Sequence, residues 1–193
     1  GGIFLEAAGG RGKTLCALEI AKQKKAKKVI IVNNRVSILS GWEKSYKEFG
    51  YDDCFELVAL TDKKLSSIVK EGSKMACDVL ILDEWQNISS KNCVSAYKKV
   101  KRNYTIGLSA TPIRKKGQNF YPLEKTIWGR ANPNQKFNWE LEHGKMVYDA
   151  FAYSKTKWAD FKDYESYVNN LPNFMRLEEI EKIENAGENN DFP

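Results

Sequence analysis

An α/β fold, with a mostly parallel sheet and helices on both faces, is predicted from three features of the 193-residue sequence. An apolar run at residues 3–5 leads into a glycine-rich turn and then into a helical pattern that opens at Lys13. A second, wholly apolar run, Val79–Leu82, ends in two carboxylates. Strand-like and helix-like segments alternate around these runs, which favours parallel strands joined by right-handed crossover helices.

The predicted elements follow in order along the chain. Strands are expected at residues 3–5, 29–32, 54–60, 79–82 and 104–108. Helices are expected at residues 14–25, 37–49, 61–72 and 91–100, and a further one at 161–171. In the second helix four bulky residues recur at helical spacing, and we assign the last three of them to the core rather than to base stacking. The four residues are Ile38, Trp42, Tyr46 and Phe49.

The turn after the first strand has the layout of a phosphate-binding loop. Residues 7–14 read Ala-Ala-Gly-Gly-Arg-Gly-Lys-Thr, with alanine where the general pattern has its first glycine. Small residues let backbone N–H groups approach phosphate oxygens, and the helix directs its positive dipole end at them. We expect Lys13 to reach the β- and γ-phosphates of a nucleotide and the Thr14 hydroxyl to hold Mg²⁺. The full set expected to bind the nucleotide is Gly9, Gly10, Arg11, Gly12, Lys13 and Thr14.

Asp83 and Glu84 follow the apolar run Val79–Leu82, at the strand end where open α/β sheets bind ligands. Asp83 is expected to hold Mg²⁺, and Glu84 to orient and deprotonate the attacking water. Lys13, Asp83 and Glu84 are therefore the predicted catalytic residues. Together with the upstream loop, the pair predicts an ATPase core that uses ATP and Mg²⁺.

Composition and charge narrow the kinds of partner, metal site and cellular compartment that this protein can have. The net charge is +6, with an acidic C-terminal stretch, so the basic remainder is compatible with a polyanionic partner. The single histidine, His143, excludes a His-based zinc site. The sequence contains no membrane-span pattern and no signal peptide, so no membrane association is expected. The four cysteines lack metal spacing and predict reduced core residues in an intracellular protein: Cys16, Cys54, Cys77 and Cys93.

Three signatures in order resemble the superfamily-two helicases and DNA translocases. They are the loop at residues 7–14, the box Asp83-Glu84-Trp85-Gln86, and Ser109-Ala110-Thr111. Residues 29–42 and 105–114 are most similar to the corresponding segments of Swi/Snf-type translocases and their phage and bacterial relatives. Trp85 and the pair Asn33-Asn34 depart from that pattern. The resemblance implies a RecA-like P-loop NTPase lobe.

The resemblance also implies roles for residues outside the nucleotide site. Gln86, Ser109, Ala110 and Thr111 would couple the γ-phosphate to nucleic acid. The nucleic-acid backbone, DNA by resemblance, would run over the turn that carries Arg35, Ser37 and Ser40.

The chain is expected to divide into three parts. Residues 1–115 form the core of the ATP-binding lobe, residues 116–182 a C-terminal extension of the same lobe, and residues 183–193 a frayed acidic tail. The first residue is glycine and no second lobe follows, so we expect a fragment whose partner lobe supplies the arginine fingers.

Two other functions fit the same motifs. One is a terminase-type DNA-packaging motor, whose loop also tolerates arginine among the glycines. The other is a regulatory module that binds nucleotide or DNA without turnover. A downstream nuclease domain would favour the first alternative, and an ATPase assay with and without DNA would identify the second.

Overall fold

The computed structural model describes residues 1–7, 12–111, 127, 136–151 and 156–176. The strands in these ranges are β1 Gly2–Glu6, β2 Lys28–Asn33, β3 Glu56–Thr61, β4 Val79–Leu82, β5 Tyr104–Ser109, β6 Gly144–Tyr148, β7 Thr156–Phe161 and β8 Phe174–Arg176. The α-helices are α1 Lys13–Gln23, α2 Val36–Glu48, α3 Asp62–Lys70, α4 Lys91–Lys98, α5 Lys136–His143 and α6 Tyr164–Asn169. None of these described helices has the length and apolar character needed to cross a membrane.

Six strands form one parallel sheet in the order β3-β2-β4-β5-β1-β8. Ile31 of β2 lies opposite Ile81 of β4, and Leu5 of β1 lies opposite Leu108 of β5. Because the strands are parallel, their carboxyl ends meet at one edge. This edge therefore brings together the turn after β1, the residues after β4 and Ser109 at the end of β5.

Apolar side chains alternate between the two faces of the sheet. Leu5 packs in a cluster with Leu18 of α1 and Trp42 of α2. Phe4, its neighbour on β1, packs in a second cluster with Leu65 of α3 and Tyr97 of α4. Strands buried on both faces in this way are typical of parallel sheets covered by helices. The predicted α/β fold, with a mostly parallel sheet and helices on both faces, is confirmed.

The C-terminal part adds a strand that the sequence did not predict. β8 lies parallel to β1, and the ring of Phe174 stacks on Phe4 at a centroid distance of 5.2 Å. Only three residues long, β8 is too short to produce an alternating pattern of apolar and polar residues. A strand from the C-terminal part of the chain therefore belongs to the main sheet.

The helix predicted at residues 161–171 is only partly correct. β7 ends at Phe161, and α6 covers only Tyr164–Asn169, beginning where the Asp163 side chain accepts the Ser166 backbone N–H at 3.0 Å. β6 and β7 form an antiparallel pair beside α6. Phe161 belongs to the strand, where it pairs with Gly144, and its ring packs against Trp158 and Tyr167 at centroid distances of 4.9 Å for both pairs.

The core assignment in α2 is wrong for one of its three residues, Phe49, and the helix also leaves Ile38 exposed. Trp42 is 2% exposed, and Tyr46 is half-buried and hydrogen-bonded to the Phe55 carbonyl, whereas Ile38 is 39% and Phe49 57% exposed. The buried side of the helix is centred on Leu39 and Trp42. Neighbouring positions on a helix point about 100° apart, so Ile38 faces away when Leu39 faces inward.

The cysteine prediction is also partly wrong, because Cys54 is exposed and Cys16 half-buried, while Cys77 and Cys93 are buried. Burial raises the pKa of the Cys77 thiol to about 11, which keeps it protonated and unreactive. We expect a maleimide to label Cys54 rapidly in the native protein and Cys77 only after unfolding. Peptide mapping by mass spectrometry after timed labelling would test this, and fast native labelling of Cys77 would contradict it.

Gly107 of β5 is required by close packing. A Cβ there would lie 2.6 Å from Phe4 Cδ2 and 2.8 Å from Ile127 Cδ1. We expect Gly107→Ala to lower the free energy of unfolding by about 1–3 kcal/mol, the usual cost of overpacking. Gly41→Ala is the matched control, since a Cβ there meets nothing within 4 Å and alanine favours helix by about 0.5–1 kcal/mol. Urea denaturation should show changes of opposite sign, and equal stability of the two variants would contradict the packing argument.

Candidate nucleotide-binding site

The predicted phosphate-binding turn connects the end of β1 to the start of α1. Ala7 follows β1, is 2% exposed, and donates its N–H to the Ser109 carbonyl at 3.1 Å. Gly12 has φ +79°, a left-handed conformation that favours glycine, and α1 begins at the next residue, Lys13. Gly9, Gly10 and Arg11, also assigned to nucleotide binding, lie outside the described residues.

Lys13 and Glu84 meet across the site. Lys13 Nζ lies 3.2 Å from Glu84 Oε1, and the two side chains are 12% and 30% exposed. This ion pair joins the first turn of α1 to the residues that follow β4. Thr14, the next residue of α1, is half-buried. The structure thus brings the predicted lysine and the second predicted carboxylate into direct contact.

Glu84 adopts an unusual backbone conformation. Its φ of 47° and ψ of 52° are left-handed, and it precedes a single 3₁₀ turn, Trp85–Asn87. Left-handed conformations of residues other than glycine are costly and concentrate at functional sites. The Glu84 carboxylate is held from a second side, because Gln86 Nε2 donates to its Oε2 at 2.5 Å.

Three of the four predicted coupling residues form a continuous chain of hydrogen bonds with Glu84. Ser109 Oγ donates to Gln86 Oε1 at 2.5 Å and accepts the Thr111 backbone N–H at 3.0 Å. Ala110 lies between Ser109 and Thr111 and is half-buried. The end of β5 is therefore connected through Gln86 to the residue predicted to act on water.

Asp83 is held by more donors than the sequence indicated. It is 6% exposed; its Oδ2 accepts Asn33 Nδ2 at 3.0 Å and Trp42 Nε1 at 2.9 Å, and its Oδ1 accepts the Glu84 backbone N–H at 3.0 Å. Burial raises the pKa of the Asp83 carboxyl, and the Trp42 hydrogen bond is the strongest opposing effect. The Asn33 hydrogen bond and the positive charge of Lys13 also lower this pKa.

Sequence reasoning missed the roles of Asn33 and Trp42 at this site. The signal for Asn33 was that a polar amide ends an otherwise apolar strand, in a segment that departs from the family pattern. Trp42 was assigned to the core, where its ring does lie, but its indole N–H also needed a buried acceptor.

The predicted nucleic-acid residues follow β2, at the same carboxyl edge of the sheet as the candidate nucleotide site. Arg35, Ser37 and Ser40 are exposed on the turn after β2 and the first turns of α2. The Arg35 backbone N–H donates to Asn33 Oδ1 at 2.8 Å, and Ser40 Oγ donates to the Val36 carbonyl at 3.2 Å. The Arg35 side chain and the Ser37 hydroxyl are thus placed at the surface beside the site.

The residues fit a magnesium-bound phosphate group. Asp83 and Thr14 offer oxygen ligands, which Mg²⁺ prefers. Lys13 is a compact cation whose present partner, Glu84, is partly exposed and can exchange for a phosphate oxygen. A Cβ on Gly12 would meet nothing within 4 Å, so there is open space beside this residue.

Comparisons with known proteins agree with the fold of this chain. A family model described as "Type III restriction enzyme, res subunit" matches residues 1–114. The fold is similar to the Sulfolobus solfataricus SWI2/SNF2 ATPase core domain, with a TM-score of 0.54 and 18% sequence identity over 72% of this chain and 33% of that one. The chain thus spans about a third of that protein's length. A search of curated proteins found no significant match.

The family match begins before the phosphate-binding turn and ends just after Ser109-Ala110-Thr111, so it includes all three sequence signatures. Because it covers more than half of the sequence, the chain belongs to the type III restriction enzyme res subunit family, and its fold is the RecA-like ATP-binding lobe of superfamily-two helicases and Swi/Snf-type ATPases.

Proposed function

We propose that this lobe binds Mg²⁺–ATP on the turn between β1 and α1 and hydrolyses it, together with a second lobe, to drive movement along DNA. The observation that carries the proposal is the 3.2 Å contact between Lys13 Nζ and Glu84 Oε1. It joins two residues far apart in sequence at the carboxyl edge of a parallel sheet, where such folds bind ligands.

Each side chain has a distinct task in this proposal. Lys13 leaves Glu84 and binds the β- and γ-phosphate oxygens, while Thr14 and Asp83 hold Mg²⁺. When bound there, Mg²⁺ would neutralise charge that develops on the phosphate oxygens. Glu84, released from Lys13, orients the attacking water and accepts its proton. The contact between Lys13 and Glu84 places the phosphate-binding cation and the base of this proposal side by side.

Gln86 and Ser109 would report the state of the nucleotide to the DNA side. Gln86 donates to Glu84 and accepts from Ser109, so a movement of Glu84 must change the hydrogen bonds of both. Thr111 is linked to the same chain through its backbone N–H. A second lobe closing over this edge would supply positive charge to the γ-phosphate, as the family resemblance implies.

DNA binding by the isolated lobe is expected to be weak and dominated by phosphate contacts. Arg35→Ala should weaken binding to any sequence and flatten the salt dependence by about one unit of log–log slope, the effect of losing one phosphate contact. Lys22→Ala is the control, since Lys22 lies in the last turn of α1. Fluorescence anisotropy with duplex and single-stranded oligonucleotides over a salt series would measure both. An unchanged slope for Arg35→Ala would remove this turn from the proposed DNA track.

The test of the whole proposal is ATP turnover with and without DNA, in the presence of a second helicase lobe. Turnover stimulated by DNA is the expected result. Nucleotide binding without turnover under those conditions would instead support a regulatory module.

A further inference from the structure

Asn33 contacts two parts of the molecule that the proposed function keeps separate. Its Nδ2 donates to Asp83 Oδ2 at 3.0 Å, and its Oδ1 accepts the Arg35 backbone N–H at 2.8 Å. The residue is fully buried at the end of β2. One rigid amide plane thus connects the proposed metal carboxylate to the first residue of the exposed turn.

Trp42 holds the same carboxylate oxygen from α2. Its Nε1 donates to Asp83 Oδ2 at 2.9 Å, and the side chain is 2% exposed. Arg35 is the N-cap of α2, and Trp42 lies in the middle of the same helix. A displacement of that helix therefore changes the Trp42 donor directly and the Asn33 donor through the Arg35 N–H.

The geometry leaves little freedom for independent movement. Oδ2 has two N–H donors and Oδ1 has a third, from the Glu84 backbone. If the turn moves, Asn33 must either give up the Arg35 N–H or rotate its amide and weaken the hydrogen bond to Asp83. Leaving a buried donor or acceptor unpaired costs about 1–3 kcal/mol, so the two contacts are energetically linked.

We propose that Asn33 and Trp42 are positioning residues for the Asp83 carboxylate, and that Asn33 makes its placement interdependent with the turn at Arg35. This inference rests on the proposed function, because it assigns Asp83 to Mg²⁺. It adds a connection between the DNA side and the metal that does not pass through Gln86 or Ser109. Binding linkage is reciprocal. If Mg²⁺–nucleotide changes the affinity of the turn for a ligand, that ligand changes the affinity for Mg²⁺–nucleotide by the same factor.

The test uses nuclear magnetic resonance on the ¹⁵N-labelled 193-residue chain. Two signals report the two ends of the connection: the indole N–H of Trp42, assigned by its loss in Trp42→Phe, and the backbone N–H of Arg35. The probe is Mg²⁺ with a slowly hydrolysed ATP analogue. Calorimetry on the same samples measures whether the nucleotide binds.

In the unmodified chain we expect the probe to shift both signals. In Asn33→Ala the Trp42 signal should still respond, while the Arg35 response is lost. Without any ligand, Asn33→Ala should already shift the Trp42 indole signal, since both residues donate to one oxygen. Tyr46→Phe is the matched control: it removes a hydrogen bond from the same helix, to the Phe55 carbonyl, and should leave both responses intact.

A second readout is the Mg²⁺ requirement for nucleotide binding. Asn33→Ala and Trp42→Phe should each raise the Mg²⁺ concentration at half-maximal binding about 10–100-fold, the usual effect of removing a donor behind a metal ligand. Affinity for nucleotide without Mg²⁺ should stay within about twofold of the unmodified chain. If Asn33→Ala does not fold, Trp42→Phe alone still decides this point.

The possible failures are distinguishable. Absence of nucleotide binding to the unmodified chain would refute the proposed function and this inference with it. Normal binding with an Arg35 response that persists in Asn33→Ala, or with a Mg²⁺ requirement unchanged in Trp42→Phe, would refute the inference alone.

Discussion

Lys13→Ala is expected to abolish detectable binding of Mg²⁺–ATP by the isolated chain. Lys13 is 12% exposed and contacts Glu84 at 3.2 Å, so it is already directed into the site. A hydrogen bond to a charged group contributes about 1.5–3 kcal/mol, and each 1.4 kcal/mol is a factor of ten in affinity. A lysine that contacts two phosphates therefore accounts for much of a weak binding constant. Isothermal titration calorimetry measures the loss.

Lys22→Ala is the matched control for this experiment. It removes the same charge from the last turn of the same helix, away from the carboxyl edge of the sheet. We expect its affinity to equal that of the unmodified chain. Equal affinity of Lys13→Ala and the unmodified chain would end the assignment of the turn after β1 as a phosphate site.

The second large effect concerns turnover. The chain alone is expected to hydrolyse ATP slowly or not at all, even with DNA, because the family resemblance assigns the arginine fingers to a second lobe. An arginine finger contributes about 10³–10⁵ to the rate of related phosphoryl transfers, which is more than a general base usually contributes. Adding the second lobe should restore turnover. A coupled-enzyme assay with purified lobes measures both states.

Glu84→Gln separates catalysis from binding in the restored enzyme. The amide keeps the size of the side chain but cannot accept a proton, so we expect turnover to fall about 10²–10⁴-fold, the usual contribution of a general base. Mg²⁺–ATP binding should be spared, since Lys13, Thr14 and Asp83 are unchanged.

Turnover near one per second or faster from the isolated chain, about a tenth of a median enzyme's rate, would mean that this chain assembles its own arginine finger. That result would overturn the single-lobe proposal.

The local sequence was sufficient to predict much of the fold. A buried parallel strand needs a continuous apolar run, as in Val79–Leu82, and the chain places polar residues directly after it. Thr61 was expected to begin a helix, and its Oγ does accept the Lys64 backbone N–H at 3.1 Å. The order of strand and helix then leaves few topologies with right-handed crossovers. These features depend on neighbours in sequence, which is why they can be read from it.

The sequence failed where burial depends on distant partners. Spacing identified a helix in α2, but the sheet decided that Leu39 and Trp42 face inward while Ile38 and Phe49 remain exposed. β8 likewise depends on a distant partner. It pairs with β1, and the ring of Phe174 stacks on Phe4 from near the opposite end of the chain.

The sequence by itself determined which chemical groups we propose for binding ATP and Mg²⁺: Lys13, Thr14, Asp83 and Glu84. Only the tertiary structure decided that Lys13 contacts Glu84, and that Asn33 and Trp42 hold Asp83. The physical reason is that a motif specifies residue types at fixed spacing, whereas a hydrogen bond requires two groups within about 3 Å. Groups on β2, α2 and β4 meet that requirement only after the sheet has assembled.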